Sequence, residues 1–441
     1  MKYIFKIIFI STFLFFSLNI TAQTHKLSVK ESIQIALEQN LQYRISEKSV
    51  EVAEAQKQEA IGEFFPTVNF NLIKNLAEKV IEIEIPPMAP GMPPVKTSID
   101  FTKDYQAGMS VTQPLFTGGA IYNNLGQSVY NLRAVEENYR SQKLVTIFEV
   151  KKAYYNILIT EQLIIVANEA FKLAENTWKM TKLHYEQGIA SKFDLLTTEV
   201  AMENIKPKIT RSENANQMSI LGLKNLLYVD LKDKIILTDS LKYERRTFSV
   251  DSLLNIAYKQ KPELLQLHYR KEQMGKIVDL SYSSFLPKLF LQADWAWHKN
   301  SFNWDPSKWD NNYSVNLVLS IPIFEGTKRI YQVQQAKINY NQIELSELAL
   351  VAGTELEIKN NYLRLLQSIK NIDSQMKNVG RAEENVRIAE LNYAEGLITV
   401  IEMSNARINL TDSQTQLLQL LYDYLIAVAA LEKSAGIENW N

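Results

Sequence analysis

The sequence has no cysteine among its 441 residues, which excludes disulfide bonds, thiolate metal sites, a cysteine nucleophile and a lipid anchor on an N-terminal cysteine. Its 48 basic and 49 acidic residues almost cancel, so charge gives no reason to expect nucleic acid binding. The 4 histidines have no metal-ligand spacing, and neither Gly-x-x-x-x-Gly-Lys-Ser/Thr nor His-Glu-x-x-His occurs. We therefore predict no catalytic site, no metal site and no cofactor, and a protein that is not an enzyme.

Long hydrophobic runs are also missing once the first 22 residues are passed. Lys2 and Lys6 precede an apolar core at residues 7–18, and Thr21–Ala22 supply a small residue for cleavage. This pattern predicts a signal peptide over residues 1–22. The alternative is a single membrane anchor helix, but the run is short for the ~30 Å of hydrocarbon in a bilayer. The exported chain is predicted to have no transmembrane helix.

Glycine and proline are scarce and clustered, which leaves long uninterrupted stretches. Neither residue occurs at 127–187 or 397–435. Apolar residues near the C-terminus step by four and three, an average of 3.5 that is typical of a coiled-coil seam: Leu417, Leu421, Tyr424, Val428 and Leu431. These stretches predict helices of ~65 residues, each ~100 Å long, which few globular domains can hold.

Four short segments instead alternate between apolar and polar residues with a period of two. They predict strands at about residues 67–76, 105–114, 288–298 and 312–322, each ~10 residues long, the length that a tilted strand needs to cross a bilayer. Prolines mark their ends. A proline-rich connection at about 79–104 and a second connection at about 299–311 join them in pairs.

The chain repeats this plan. The segment that begins at Ser28–Val29 returns at Ser249–Val250, 221 residues later, and Tyr185 to Gly188 returns 208 residues later as Tyr393 to Gly396. We predict two structural repeats, residues 23–248 and 249–441, with hairpin turns near 185–192 and 393–400. Each repeat contains a helix, two strands, a very long helix, a turn and a returning helix.

Four strands cannot close a barrel alone, and an open edge in lipid leaves backbone groups unpaired. Membrane strands would therefore require an oligomer, with eight strands from two copies or twelve from three, and the spacing does not choose between them. Aromatic residues near the strand ends, such as Phe65, Phe116 and Trp297, favour a membrane barrel over a soluble sheet on a helical stalk.

At this level of detail the chain resembles the TolC-type outer membrane efflux protein family, the outer membrane factors. The resemblance rests on the duplicated Tyr-x-x-Gly turns, on Gln-Pro-Leu-Phe-Thr-Gly-Gly at 113–119 and on Ile-Pro-Ile-Phe-Glu-Gly at 321–326, and it covers about residues 28–437. It implies a mainly α protein: a homotrimer with one twelve-stranded transmembrane β-barrel in outer membrane lipid, four strands per chain, continuing as an α-helical barrel across the periplasm.

The resemblance also implies site residues. The turns at Tyr185, Gly188, Tyr393 and Gly396 would form a periplasmic tip that docks an adaptor. Acidic residues six and nine positions after the second glycine would face a pore constriction; here these positions are Glu402 and Asn405.

Closure contacts follow from the same resemblance. Asp194 would line the constriction and take part in closure, and Tyr393 would act in closure by hydrogen bonding. The family's latch arginine is replaced by Ile398. A solvated charge near a helix cap is the alternative for Asp194 and Glu402.

The predicted function is a passive exit duct at the cell outer membrane, serving a tripartite efflux or type I secretion system. Its partners would be a periplasmic adaptor (membrane fusion protein) and an inner-membrane pump of the RND, ABC or MFS type. The alternative is an envelope-anchored coiled-coil stalk with a structural or adhesive role, which would not need paired alternating segments with polar inner faces.

Overall fold

In a computed structural model, the structure describes residues 24–76, 81–87, 91, 94–99, 105–299, 305 and 308–438. The predicted signal peptide at 1–22 lies outside these residues. The described strands are β1 Thr24–Leu27, β2 Thr67–Lys74, β3 Ile81–Ile85, β4 Val95–Ile99, β5 Tyr105–Phe116, β6 Lys234–Leu237, β7 Lys288–Lys299 and β8 Asp310–Ser320. The described helices are α1 Val29–Gln39, α2 Leu41–Gly62, α3 Ala120–Glu186, α4 Lys192–Glu203, α5 Lys206–Leu227, α6 Val250–Gln260, α7 Pro262–Ser283, α8 Lys328–Ala394 and α9 Val400–Ser434.

The central sheet is antiparallel and has the strand order β2-β5-β7-β8. Residues paired across neighbouring strands point to the same side, so the register defines two faces. The apolar face includes Val68, Phe70, Leu72, Ala107, Met109, Val111, Leu289, Leu291, Ala293, Trp295, Trp297, Tyr313, Val315, Leu317 and Leu319. The polar face includes Thr67, Asn69, Asn71, Gln106, Ser110, Thr112, Gln292, Asp294, His298, Asn312, Ser314 and Asn316.

The strand bounds differ from the predicted ones by one or two residues. The sequence predicts that the second strand of the sheet ends at Pro114, but the strand runs to Phe116, with a register shift between these two residues. Beyond Thr112 this strand pairs only with β7, so its other side is an edge, where proline is tolerated. The fourth strand ends at Ser320, before Pro322.

The proline-rich connection contains a hairpin that the sequence does not predict. Strands β3 and β4 form an antiparallel hairpin between the first two strands of the sheet. Pro86, Pro87 and Pro94 all lie between its two strands, where no ladder hydrogen bond is required of them. These three prolines are therefore compatible with the strands on either side of them.

The two longest helices, α3 and α8, each have 67 residues, which corresponds to ~100 Å. Next to the sheet, α3 packs against α2 and α7, and α7 packs against α8. The helical layer there follows the order α2-α3-α7-α8, the same order as the strands that these helices join. The sheet and the helical layer therefore end on the same two sides.

Shorter helices replace the single ones predicted at three places. Asn40 separates α1 from α2, and Lys261 separates α6 from α7. The returning helix of the first half is two helices, α4 and α5, with Pro207 in the first turn of the second. Proline has no N–H to donate and clashes with the preceding turn, so it begins a helix more readily than it continues one.

Two buried tyrosines hold the segment at residues 228–249, which connects α5 to α6. Strand β6 in this segment pairs in parallel with β1, a contact that the sequence does not predict. The Tyr154 hydroxyl lies 2.9 Å from the Leu27 carbonyl and 2.9 Å from the Asp239 carboxylate. The Tyr424 hydroxyl donates to the Glu244 carbonyl at 2.6 Å and accepts from the Arg246 N–H at 3.0 Å. Burial raises the pKa of Tyr154, so it stays a neutral donor.

We expect Tyr424→Phe to loosen this segment without unfolding the protein. The change leaves two backbone groups without their partner, at a cost of about 1–2 kcal/mol, which makes local opening roughly 5- to 30-fold more frequent. Trypsin should then cleave faster after Lys242, Arg245 and Arg246, as followed by mass spectrometry. Tyr422→Phe on the same helix is the control. Equal cleavage rates in the two variants would contradict the anchoring role.

Candidate functional site at the tips of the helical hairpins

Two tight turns reverse the long helices, one between α3 and α4 and one between α8 and α9. Gly188 and Gly396 have positive φ angles of 77° and 75°, a conformation that L side chains adopt only with strain. The Gly188 N–H donates to the Tyr185 carbonyl at 2.9 Å, and the Gly396 N–H donates to the Tyr393 carbonyl at 3.1 Å. The tyrosine and the glycine of each Tyr-x-x-Gly sequence are thus the two ends of one hydrogen-bonded turn.

Each returning helix begins with a capping box. The Glu402 carboxylate accepts from the Thr399 N–H at 2.8 Å and from the Thr399 hydroxyl at 2.9 Å, and Thr399 accepts in turn from the Glu402 N–H. Asp194 has the same relation to Ser191 in the first hairpin. These hydrogen bonds lower the pKa of Glu402. The cap is therefore intact when the pH is above the ordinary pKa of a carboxyl group, and it is lost only when the pH falls through the lowered pKa.

The predicted constriction residues lie beside this cap. Glu402 and Asn405 are both exposed, whereas Met403 and Ala406 between and after them are buried against α8. Glu402 and Asn405, three residues apart, therefore share the face of α9 that points away from its partner helix. Asp194 is half-buried on α4 in the other hairpin, so the structure places it with Ser191 on a separate helix.

The two hairpins are joined by a hydrogen bond between tyrosine and threonine. The Tyr393 hydroxyl on α8 lies 3.0 Å from the Thr181 hydroxyl on α3. Thr181 is fully buried, and Tyr393 packs against the apolar cluster at the base of the second turn. Tyr185, its counterpart in the first turn, is exposed. Of the two tyrosines, only Tyr393 has a described contact that links the hairpins.

Ile398 occupies the position where the resemblance places a latch arginine. It packs against the apolar cluster that joins α8 to α9, which consists of Val386, Ala389, Val400, Met403 and Ala406. An apolar side chain here stabilises the turn by burial. Ile398 cannot form an ionic latch, so any polar contact that holds the hairpins together must come from another residue.

Arg407 makes such a contact, which the sequence does not predict. From α9 its guanidinium donates to the Glu390 carboxylate on α8 at 2.7 Å, and to the Leu173 carbonyl and the Thr177 hydroxyl on α3. One side chain thus connects three helices and both hairpins. Its signal in the sequence is an arginine within the apolar seam of α9, where a charge requires buried partners.

The residues that the structure describes contain neither a metal-binding group nor a membrane-spanning helix. No group of three or more His, Cys, Asp or Glu in the described part of the chain could bind a metal ion. None of the described helices has the length and apolarity needed to cross a membrane. The remaining described features are long helical hairpins that end in tight turns and a sheet with one apolar and one polar face, a combination typical of outer membrane channels.

The chain belongs to the outer membrane efflux protein family, which it matches over residues 32–227 and 253–437. Among curated relatives, the alkaline protease secretion protein AprF of Pseudomonas aeruginosa is 23% identical over 350 residues, 77% of this chain and 72% of AprF. The outer membrane protein TolC of Vibrio cholerae is 20% identical over 336 residues, 75% of this chain and 76% of TolC. The Campylobacter jejuni CmeC outer membrane channel has a TM-score of 0.76 at 15% identity, covering 92% of this chain and 85% of CmeC.

These matches confirm the resemblance predicted from the sequence. They also support the predicted channel function over an adhesive stalk, because the relatives are outer membrane efflux or secretion channels. The protein is accordingly an outer membrane channel that extends into the periplasm. Membership of a family of channels gives no reason to expect an enzyme.

Proposed function

We propose that three copies of this chain close into a single duct that passively conducts cargo from the periplasm to the exterior. One observation carries this proposal: the sheet and the helical layer beside it have their unpaired edges on the same two sides of the chain. The sheet ends on β2 and β8, and the adjoining helical layer ends on α2 and α8. Because the two edges of the chain are different, copies pair head to tail, with one edge of each copy against the other edge of the next. Such pairing makes a ring when the rotation between neighbouring copies closes.

The exposed apolar residues of the edge helices support this closure. On α8 they include Leu345, Leu348, Leu356 and Leu363, and Leu345 is 67% exposed in the single chain. On α2, Ile45 and Val52 are seven residues apart and also exposed. Repeats of seven residues are the spacing of a helix–helix seam, so α8 of one copy would bury these leucines against α2 of the next.

The open strand edges give the same reason for closure. Within a bilayer the unpaired backbone groups of β2 and β8 would each cost several kcal/mol, and pairing β8 with the next copy's β2 removes that cost. Three copies make twelve strands, within the size range of membrane barrels. The apolar face would then contact lipid and the polar face would line the lumen. The two halves of each chain would be equivalent staves of this cylinder.

At the other end, the hairpin tips would close the duct and dock a periplasmic adaptor. Ile189, Phe193 and Leu397 surround the two turns and are strongly exposed, with Ile189 at 71%. Exposed apolar residues beside a polar rim are typical of a protein interaction site. An adaptor bound here would connect the duct to an inner-membrane pump of the RND, ABC or MFS type, for efflux or type I secretion.

Glu402 and Asn405 would line the constriction at this tip. A trimer would have three Glu402 carboxylates around the axis, which attract cations into the opening. Each carboxylate accepts its Thr399 hydrogen bonds through one oxygen, Oε2, and the other is available to a passing ion. Asp194 would contribute to closure from the first hairpin.

Planar-bilayer recording tests this proposal. Glu402→Gln, which keeps the shape of the side chain, should weaken block by divalent cations about tenfold or more, corresponding to ~1.4 kcal/mol. Asn405→Asp, a gain of charge one helical turn away, should strengthen the block and serves as the reciprocal variant. If the purified protein forms channels whose block is the same in all three forms, Glu402 is not in the constriction. If it forms no channels, the proposed function is wrong.

A further inference from the structure

A row of paired residues that includes one charged side chain crosses the sheet, far from the hairpin tips. The register places Asn69, Ser110, Asp294 and Ser314 side by side, one from each strand. All four belong to the polar face. Three of them are neutral, so each chain contributes a single charge to this row.

Asp294 is isolated from other charges on its face. Among the described residues of the four strands, the other charged side chains of the polar face are at the strand ends: Lys288 begins β7 and Asp310 begins β8. Lys288 is six residues from Asp294, about 20 Å along the strand. The Asp294 carboxylate accepts one weak hydrogen bond, from Gln292 Nε2 at 3.4 Å. Among the strand residues that the structure describes, no cationic side chain on this part of the face offsets its charge.

We propose that Asp294 forms a ring of carboxylates inside the barrel and makes the outer part of the duct selective for cationic species. The inference rests on the proposed closure into a ring with the polar face inward. The ring would concentrate hydrated cations and positively charged cargo and would repel anions after they have passed the periplasmic tip. This charge is independent of Glu402, which lies at the opposite end of the helical layer.

Simple geometry sets the size of the effect. Twelve strands ~4.8 Å apart and tilted ~40° give a barrel of about 12 Å backbone radius. The carboxylates then lie within about 10 Å of the axis, close to the ~8–10 Å Debye length at physiological salt. The ring should therefore act on ions near the wall at all salt concentrations and across the whole lumen at low salt.

The absence of cysteine makes the local potential measurable, because any introduced thiol is unique. Ser110→Cys places a thiol directly beside Asp294 on the polar face, and Met109→Cys places its neighbour on the apolar face. Each variant is reconstituted in vesicles and treated with a cationic and an anionic methanethiosulfonate of similar size. The rate ratio is divided by the same ratio for a small thiol in solution, which removes the intrinsic reactivity of the reagents.

We expect Ser110→Cys to react about fivefold or more in favour of the cationic reagent in ~0.01 M salt. Adding Asp294→Asn should bring the corrected ratio close to one. Adding Gln292→Lys, a cation one row away on the same face, should lower or reverse it. Met109→Cys should not react, because lipid covers it.

Two results would overturn the inference while leaving a channel in place. The first is a corrected ratio that Asp294→Asn does not change. The second is a reactive thiol at Met109→Cys with an unreactive one at Ser110→Cys, which would put Asp294 on the lipid side. The same preparations are checked for channel activity, so a failure of the proposed function appears separately, as vesicles that conduct no ions.

Discussion

We expect Gly396→Val to abolish export while the assembled oligomer is retained. Gly396 has a φ angle of 75°, which a β-branched residue does not adopt without strain, so the turn between α8 and α9 must rearrange. A Cβ atom at this position would meet no atom within 4 Å, so the defect comes from the backbone and stays at the tip. In a strain deleted for the protein, the variant should restore no more resistance or secretion than an empty plasmid.

Two further variants make the Gly396 experiment specific. Gly380→Val introduces the same side chain into α8, also with open space around it, and has a helical backbone, so it should retain export. Gly396→Asn should recover much of the activity, because asparagine tolerates the left-handed conformation. Full export by Gly396→Val, or equal defects in the two valine variants, would contradict a docking role for the turn.

The second large effect is expected at Arg407. Arg407→Ala removes the contacts from α9 to Glu390 on α8 and to Leu173 and Thr177 on α3. Hydrogen bonds to charged groups contribute ~1.5–3 kcal/mol each, so the second hairpin loses a large part of its attachment to the first. We expect a several-fold larger conductance in planar bilayers, because the tips separate more often.

Arg387→Ala is the matched control for Arg407→Ala. Arg387 also pairs with a glutamate, Glu384, but both lie on the surface of α8, three residues apart, and are exposed. Such a pair contributes little to stability and connects no second helix. The conductance of Arg407→Lys should lie between those of Arg407→Ala and the wild type. A lysine ammonium can still bind Glu390, but it lacks the forked guanidinium that also reaches α3. Identical conductance in Arg407→Ala and Arg387→Ala would show that Arg407 does not hold the tip closed.

The sequence predicts the elements of this fold better than it predicts their contacts. Alternation with a period of two locates all four strands of the main sheet, because one residue in two must face lipid or core. The landmarks Ser28 and Ser249 recur because each caps the helix that follows it. Local chemistry of this kind is visible in a few neighbouring residues.

Contacts between distant segments could not be predicted in the same way. The pairing of β1 with β6 joins residues about two hundred positions apart, and Arg407 reaches Thr177 across a similar separation. Neither partner has a pattern that points to the other. Asp194 and Glu402 show how local sequence and family resemblance can point to different roles. The resemblance assigns their carboxylates to a pore. A serine or threonine three residues earlier, Ser191 or Thr399, is instead typical of the helix caps that the structure contains.

The central claim is that the chain acts as a closed trimer, and its native mass in detergent tests this most directly. Protein extracted from the outer membrane, with bound detergent subtracted by light scattering or native mass spectrometry, should have three times the mass of one mature chain. Leu345→Asp with Leu348→Asp, which places charges in the exposed seam of α8, should shift it towards one chain. A wild-type protein that is monomeric, or that is released as a soluble species without detergent, would contradict the account.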